Sequence, residues 1–387
     1  MKKLLKLTAL LLIVISLTGC WDQNIYEKIG FILNAGIDKG TDDKILFTVS
    51  IPIISGISSG GMGSGSSSIG GGDGQKSEVF SSETNLIRQE RENLRLSSPK
   101  QLEGGKIQNV LFGSGLAREK GISEYLELYE RDTQSTVQSW IAVVDGTANE
   151  LITKGVNMKG KPILGQYLNE LLERNSKAGY CPKMNIIKYS IENVIPGLSP
   201  ILPMIKLEPN DVKVIGTALI SNDKMSGQLD TLETAYLFMA MGESKMSEIP
   251  FDLPEDIKTI KKKAIVFISK IKTKLKLNFT NGIPILDFNI KIDATMEEYT
   301  WGQLADTKYK TKIEEALASQ IKNSLNEVFK KLQAANCDPM GIGDKLRAYH
   351  NSYWKSIGEL AGWKKIYPNI TANFSVSTDI IRYGSIQ

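Results

Sequence analysis

Cysteine is the place to begin, because one of the chain's three cysteines sits where its thiol has a task. Cys20 closes the run Leu17-Thr18-Gly19-Cys20, behind a basic start with Lys2, Lys3 and Lys6 and an apolar stretch over 10–17. An ordinary export signal ends in small residues of Ala-x-Ala type. Here the cleavage site is followed by a thiol, the lipobox arrangement. The thiolate is the good nucleophile of the segment. It can take a diacylglyceryl group before cleavage leaves it as the first residue. The apolar stretch is too short to span a bilayer comfortably, so residues 1–19 read as a lipoprotein signal peptide. Each buried methylene stabilises the anchor by about 0.8 kcal/mol, and two or three acyl chains hold where one does not.

The rest of the chain offers little further chemistry. There is one histidine, His350, in the polar helical stretch KLRAYHNSYW. A Ser-His-Asp triad would have to be built on it, and no G-x-S-x-G elbow occurs. A zinc site needs several His or Cys ligands. Only Cys181 and Cys337 remain once Cys20 is lipidated, and the sequence leaves their pairing open. The Gly/Ser-rich segment 55–76 lacks a GK[ST] ending and a helix start, so it is not a phosphate loop. It reads as a flexible tip. No catalytic residue, cofactor or metal site is expected.

Composition sets the broad class. The chain has 387 residues, 41% apolar and 23% charged, as a globular protein of two to three domains does. Its net charge is +4; without Lys2, Lys3 and Lys6 the 47 basic residues become 44 against 43 acidic ones. A near-neutral body lacks the basic excess of a nucleic-acid binder.

The elements follow from periodicity. Strands are expected over 29–38, 44–54 and 78–82, a helix over 84–96, a strand over 107–117 leading into a turn, and a helix over 122–131. A strand over 137–145 and helices over 147–154 and 162–175 complete an alternating N-terminal region, 20–195, divisible into two subdomains. Four prolines across 195–210 mark a boundary, with 204–207 as a short edge strand. The C-terminal region, 205–387, opens with a strand over 212–221, a turn over 222–227 and a helix over 231–241. Asp230 and Glu233 suit its N-terminus. Asn281-Gly282 joins two long strands, 262–278 and 283–299, as a hairpin. The lysines of the first of these read as the solvated face of an antiparallel sheet, or as a membrane-facing basic strip. A long helix over 306–335, a second from 344 and a final strand over 371–381 follow. The expected class is α+β (mixed α/β): small domains, each a β-sheet packed with helices, the C-terminal one an antiparallel sheet with a long helix.

Four fragments, in this order, resemble the C-subunit lipoproteins of spore germinant receptors, the GerAC-type family. They are Gly19-Cys20-Trp21-Asp22 with Gly36-Ile37-Asp38; Gly113 to Asp132 with Gly121-Ile122 and Arg131-Asp132; Gly216-Thr217-Ala218 with Asp223-Lys224, Gly227, Leu229 and Glu233; and Asp338, Gly341 and Gly343 with Trp354. The segment 55–76 has no counterpart in the family pattern. The resemblance implies a non-enzymatic subunit, lipid-anchored through Cys20 on the outer face of the spore inner membrane. Its implied partners are a membrane-embedded A subunit and a permease-like B subunit. Such receptors respond to nutrients and trigger germination; contact with the nutrient is left open. Trp21, Asp22, Gly216, Gly227, Glu233, Asp338, Gly341, Gly343 and Trp354 are the family-motif residues. The glycines are expected to serve turns and close packing, and Trp354 to be core or a partner anchor. Two other readings stand beside this one. A solute-binding lipoprotein would need two similar lobes about a hinge, and a surface hydrolase would need a cleft with perturbed acids.

Overall fold

The structure is a computed structural model that describes residues 28–53, 76–132, 135–243, 245, 247–255, 257, 262–298 and 307–382. Cys20, Trp21 and Asp22 lie outside the described residues, as does the Gly/Ser-rich segment up to residue 75.

The chain enters as a short strand β1 (Ile29–Phe31), then the hairpin β2 (Asn34–Lys39) and β3 (Ile45–Pro52), to which β4 (Ser77–Thr84) adds. Helix α1 (Ile87–Ser97) leads to β5 (Gln101–Glu103), which pairs in parallel with β1. Next come β6 (Asn109–Gly113), α2 (Ser114–Glu119), α3 (Ser123–Arg131), β7 (Trp140–Val144), α4 (Ala148–Gly155), α5 (Leu164–Ala178) and α6 (Ile186–Val194). Then β8 (Ile201–Glu208), β9 (Asp211–Ser221) and β10 (Lys224–Leu229) close one eight-stranded sheet, in the order β10-β9-β8-β7-β6-β2-β3-β4. Its centre, β2, β6, β7 and β8, is parallel and its flanks are antiparallel. The central strands β6 and β7 are buried at every residue, as parallel strands covered on both faces are. Val110, Phe112, Ile141 and Val143 face α1, α2, α3 and α6. Leu111, Ala142 and Val144 face α4 and α5.

Helix α7 (Thr231–Met241) leads from this sheet into a second one of four strands. It comprises β11 (Glu248–Asp252), β12 (Lys263–Thr280) and β13 (Ile283–Glu298), with β14 (Thr371–Arg382) on its edge. Between β13 and β14 run α8 (Thr307–Ala334), α9 (Ile342–Tyr349), α10 (Asn351–Ser356), α11 (Glu359–Ile366) and a 3₁₀ turn, Tyr367–Asn369. The third core lies here: Ile313, Leu317, Ile321, Leu325, Val328 and Leu332 of α8 pack on the inner face of the sheet. The mixed α/β class with several sheets is as expected.

Several details differ from the sequence reading. The proline-rich segment does not separate one sheet from another: β8 is interior, between β7 and β9, and the N-terminal sheet continues to residue 229. Pro203 sits where β8 pairs with β9 only, since pairing to β7 begins at Met204, so a missing N–H is tolerated. The turn expected over 222–227 is confined to Asn222 and Asp223, both at positive φ, and β10 follows at once. The small sheet is antiparallel except at β14, which runs parallel to β13. A parallel pair needs a long crossover, and α8 to α11 supply it. Helix α2 replaces an expected turn, α6 and β11 have no counterpart in the reading, and the helix expected from 344 is broken into three. Cys181 and Cys337 are both free and fully buried, one against α5 and the other in the C-terminal core.

Candidate functional site

The first few N–H groups of a helix have no partner within it, and the helix dipole favours negative charge there. Three aspartates of the motif fragments meet that need. Asp338 follows α8 and is almost fully buried. Its carboxylate accepts from the N–H of Ile342 at 3.1 Å and of Gly343 at 2.8 Å, at the start of α9. Burial pushes its pKa up to about 6, against the pull of those two N–H groups and of Lys345. The Trp363 indole also steadies the charge at short range, although its N–H completes no hydrogen bond of good geometry. The Asp338 backbone is gripped from the other half of the chain. Its N–H donates to Ser199 Oγ at 3.0 Å and its carbonyl accepts from the Ser199 N–H at 2.9 Å.

That grip requires bare backbone on both sides. Gly343 lies against Gly197, whose Cα would be 2.8 Å from a Cβ placed on Gly343; the Trp363 Nε1 would be at 2.5 Å. The Asp344 N–H donates to the Gly197 carbonyl at 3.2 Å. Gly341, at φ +61°, is the N-cap of α9. So Asp338, Gly341 and Gly343 form one knot with residues 197–199, and the prolines of that segment are its flanks.

The other two carboxylates do the same over longer spans. Asp223 accepts from the N–H of Ser123 at 3.1 Å and of Ile122 at 3.3 Å, from Ser123 Oγ at 2.5 Å, and from the Tyr189 hydroxyl at 2.7 Å. It thereby caps α3 and joins the Gly121-Ile122 fragment to Asp223-Lys224. Asp38 accepts from the N–H of Ala148 at 2.8 Å and of Asn149 at 2.7 Å, at the start of α4. Burial raises its pKa, opposed by those two bonds. A Cβ on Gly113 would stand 2.0 Å from Asp38 Oδ1, so these fragments also meet.

Of the remaining motif residues, Gly227 and Glu233 meet the C-terminal end of α8. Gly216 sits at a bulge of β9 with φ +132°, and a Cβ there would lie 2.1 Å from the Leu229 carbonyl oxygen. Gly227 faces Ala335, with 3.1 Å to its Cβ. Glu233 and Asp230 form a capping box on α7, as the spacing predicts, and Glu233 also pairs with Lys331 at 2.5 Å. Trp354 is core, 3% exposed. His350 is exposed and packs edge-on to Phe279, 5.2 Å between centroids.

Chemically, these carboxylates have their lone pairs turned to backbone donors. Among the described residues no group of three or more His, Cys, Asp or Glu is placed to hold a metal ion, and no helix is long and apolar enough to cross a membrane. A cavity of about 120 Å³ lies beside Asp338, between residues 193–200 and Trp363 and Tyr367. Sequence reasoning missed α6, whose Ile187, Ile191 and Val194 form an exposed apolar stripe, 41%, 54% and 75% exposed. The signal was present in the Asn185 cap and the three- and four-residue spacing.

Comparison with known proteins bears on the family of the chain. Residues 22–207 match the family described as spore germination protein N-terminal domain, and residues 215–384 match the one described as spore germination B3/GerAC like, C-terminal. Spore germination protein B3 of Bacillus subtilis (strain 168) is 23% identical, over 100% of both chains. Spore germination protein KC of the same organism is 24% identical, over 99% of this chain and 96% of its own. The crystal structure of the GerBC protein superposes with a TM-score of 0.57 at 20% identity, covering 90% of this chain and 96% of that one, a likeness of fold. With both family regions present in order along nearly its whole length, the chain belongs to the GerAC-type family of germinant receptor C subunits.

Proposed function

We propose that the protein is a non-enzymatic subunit of a nutrient germinant receptor, acylated at Cys20 and held on the outer face of the spore inner membrane. It acts there by contact with a membrane-embedded A subunit and a permease-like B subunit. One observation carries the non-enzymatic reading: Asp38, Asp223 and Asp338 each cap a helix through backbone N–H groups, so the motif carboxylates organise the fold instead of facing a substrate. Membership of the family and the lipobox at Cys20 support the receptor role and the anchor. The knot of residues 197–199 with 338–343 ties the segment that enters β8 to the loop between α8 and α9.

The test has two arms. A Cys20→Ala variant should lose lipid labelling and membrane retention while still being made; unchanged labelling refutes the anchor. Affinity capture of the wild-type chain from spore membranes should bring down both membrane subunits. Spores lacking this subunit and its related receptors that still answer every nutrient would refute the receptor role.

A further inference from the structure

Strand β12 changes its facing once. A bulge between Ile268 and Lys270 shifts the register, so that Ile271, Leu275 and Leu277 turn to the core. The alternation then puts Lys270, Lys272, Lys274 and Lys276 on the opposite face, all exposed. The register with β13 sets Lys291 directly across from Lys272. Like charges directly opposite destabilise a sheet, and none of the five lysines forms a salt bridge with a described residue. The aspartates of this face are fewer than its lysines. Asp287 lies opposite Lys276 and is hydrogen-bonded by Asn278 at 2.6 Å and Asn373 at 2.8 Å, Asp293 lies opposite Lys270, and Asp379 pairs with Lys310 at 3.0 Å, so Lys272, Lys274 and Lys291 have no acidic partner across the β12–β13 register. The acidic residues of β11, Glu248 and Asp252, pair with β12 on the far side of the bulge. A broad hollow of about 960 Å³ is lined by Lys272, Lys274, Lys276 and Lys291, with Asp287 as the one carboxylate among its lining residues.

A second feature adjoins the lysines. At the hairpin tip Ile283 is 52% exposed, and by its register with Thr280 it belongs to the lysine face. Phe279, 37% exposed, faces the other way and packs on His350 and Tyr353. A row of lysines ending in an exposed aliphatic side chain at the hairpin tip is the pattern of a surface that sits at a charged bilayer interface. A near-neutral net charge conceals it, because the asymmetry is local to one face.

We propose that this face docks on a phospholipid bilayer carrying anionic headgroups, with the lysines against the phosphates and the tip at Ile283 entering the interface. The acyl anchor at Cys20, on which the proposal rests for local concentration only, would hold the body near the surface, and the lysine face would fix its orientation.

The test uses the full, lipidated chain on vesicles of phosphatidylcholine alone or with phosphatidylglycerol, the headgroups carrying a quencher. A fluorophore is placed through Ser375→Cys on the lysine face, or through Asn323→Cys on the exposed side of α8; Cys181 and Cys337 are buried and do not compete. The Ser375→Cys probe should be quenched on anionic vesicles and not on neutral ones, and the Asn323→Cys probe on neither. Replacing Lys270, Lys272, Lys274 and Lys276 by Gln, or raising the salt to about 1 M, should reduce the quenched fraction roughly tenfold or more. Ile283→Asp should reduce it with the lysines intact. Absence of quenching on anionic vesicles, equal quenching at both probes, or quenching that survives the lysine changes would overturn the proposal. Failure to float with neutral vesicles overturns the anchor alone, since the anionic arm still reads the face.

Discussion

Asp338 makes the stability of this protein depend on pH in a direction opposite to that of a salt-bridged carboxylate. Its pKa is about 6 in the folded chain against 3.8 for a free side chain. Between these values the folded state holds the proton and the unfolded state does not. The unfolded state therefore binds fewer protons, and stability falls as pH rises through this window, then levels off above it. The full difference of about two pKa units corresponds to ~3 kcal/mol. Between pH 4.5 and 7.5 the share that is lost is about 2 kcal/mol. Asp38 shifts in the same direction and adds its own slope. The measurement must therefore be a difference: urea unfolding of wild type and Asp338→Asn, followed by tryptophan fluorescence at both pH values. The variant keeps an acceptor for one of the N–H groups of Ile342 and Gly343 but cannot titrate. It should be the less stable protein at both pH values, and its deficit should shrink by about 2 kcal/mol from pH 4.5 to 7.5. A deficit that is constant with pH would mean that Asp338 is ionised throughout. A deficit that grows with pH would mean that the N–H donors outweigh burial, and would refute the reasoning.

Two further outcomes follow from the packing. Gly216→Ala should lower the stability by roughly 3 kcal/mol or abolish folding, because the added methyl meets the Leu229 carbonyl in a backbone conformation that alanine rarely adopts; a melting temperature within a degree or two of wild type would contradict the bulge at β9. Cys181 and Cys337 should react with a thiol reagent only after unfolding, since both are buried and burial raises both thiols, Cys181 to about 12; labelling of either one in the native protein would show that its core opens.

What was legible in the sequence is what short-range pattern controls. The hairpin about Asn281-Gly282, the capping box of Asp230 and Glu233 and the six core positions of α8 were all visible as spacing. The failures within the sheets share one cause, which is pairing between distant segments. Met204 and its neighbours read as an edge because prolines surround them, yet β7 and β9 both recruit that strand. The turn signal at Asn222-Asp223 was real, but it was a hairpin turn within one sheet, and the strand after it carries Ser226 and Gly227, poor strand formers held by the cross-strand register with β9. Parallel addition of β14 could not be read from its own residues, because nothing in a strand's composition fixes its direction. The aspartates were legible as fragments, and their role was not. Asp38 and Asp223 act on helix starts 110 and 100 residues away in the chain, a partnership that no local window contains.

The same long-range logic explains why four prolines stand where they do. Residues 195–200 connect α6 to β8, and on that path they must also present Gly197 and Ser199 to the loop that begins α9. A flexible connection would lose conformational entropy each time the two met. Prolines at 196 and 200 fix φ on either side of the contact, so most of that ordering is already built into the chain. The contact then joins the strand that anchors the large sheet to the loop that ends α8, whose other face carries the small sheet. Through Gly197 the same contact lies just beyond the end of α6. The exposed stripe of Ile187, Ile191 and Val194 lies on that helix. The knot at Asp338 thus joins the loop that ends α8 to the proline segment between α6 and β8.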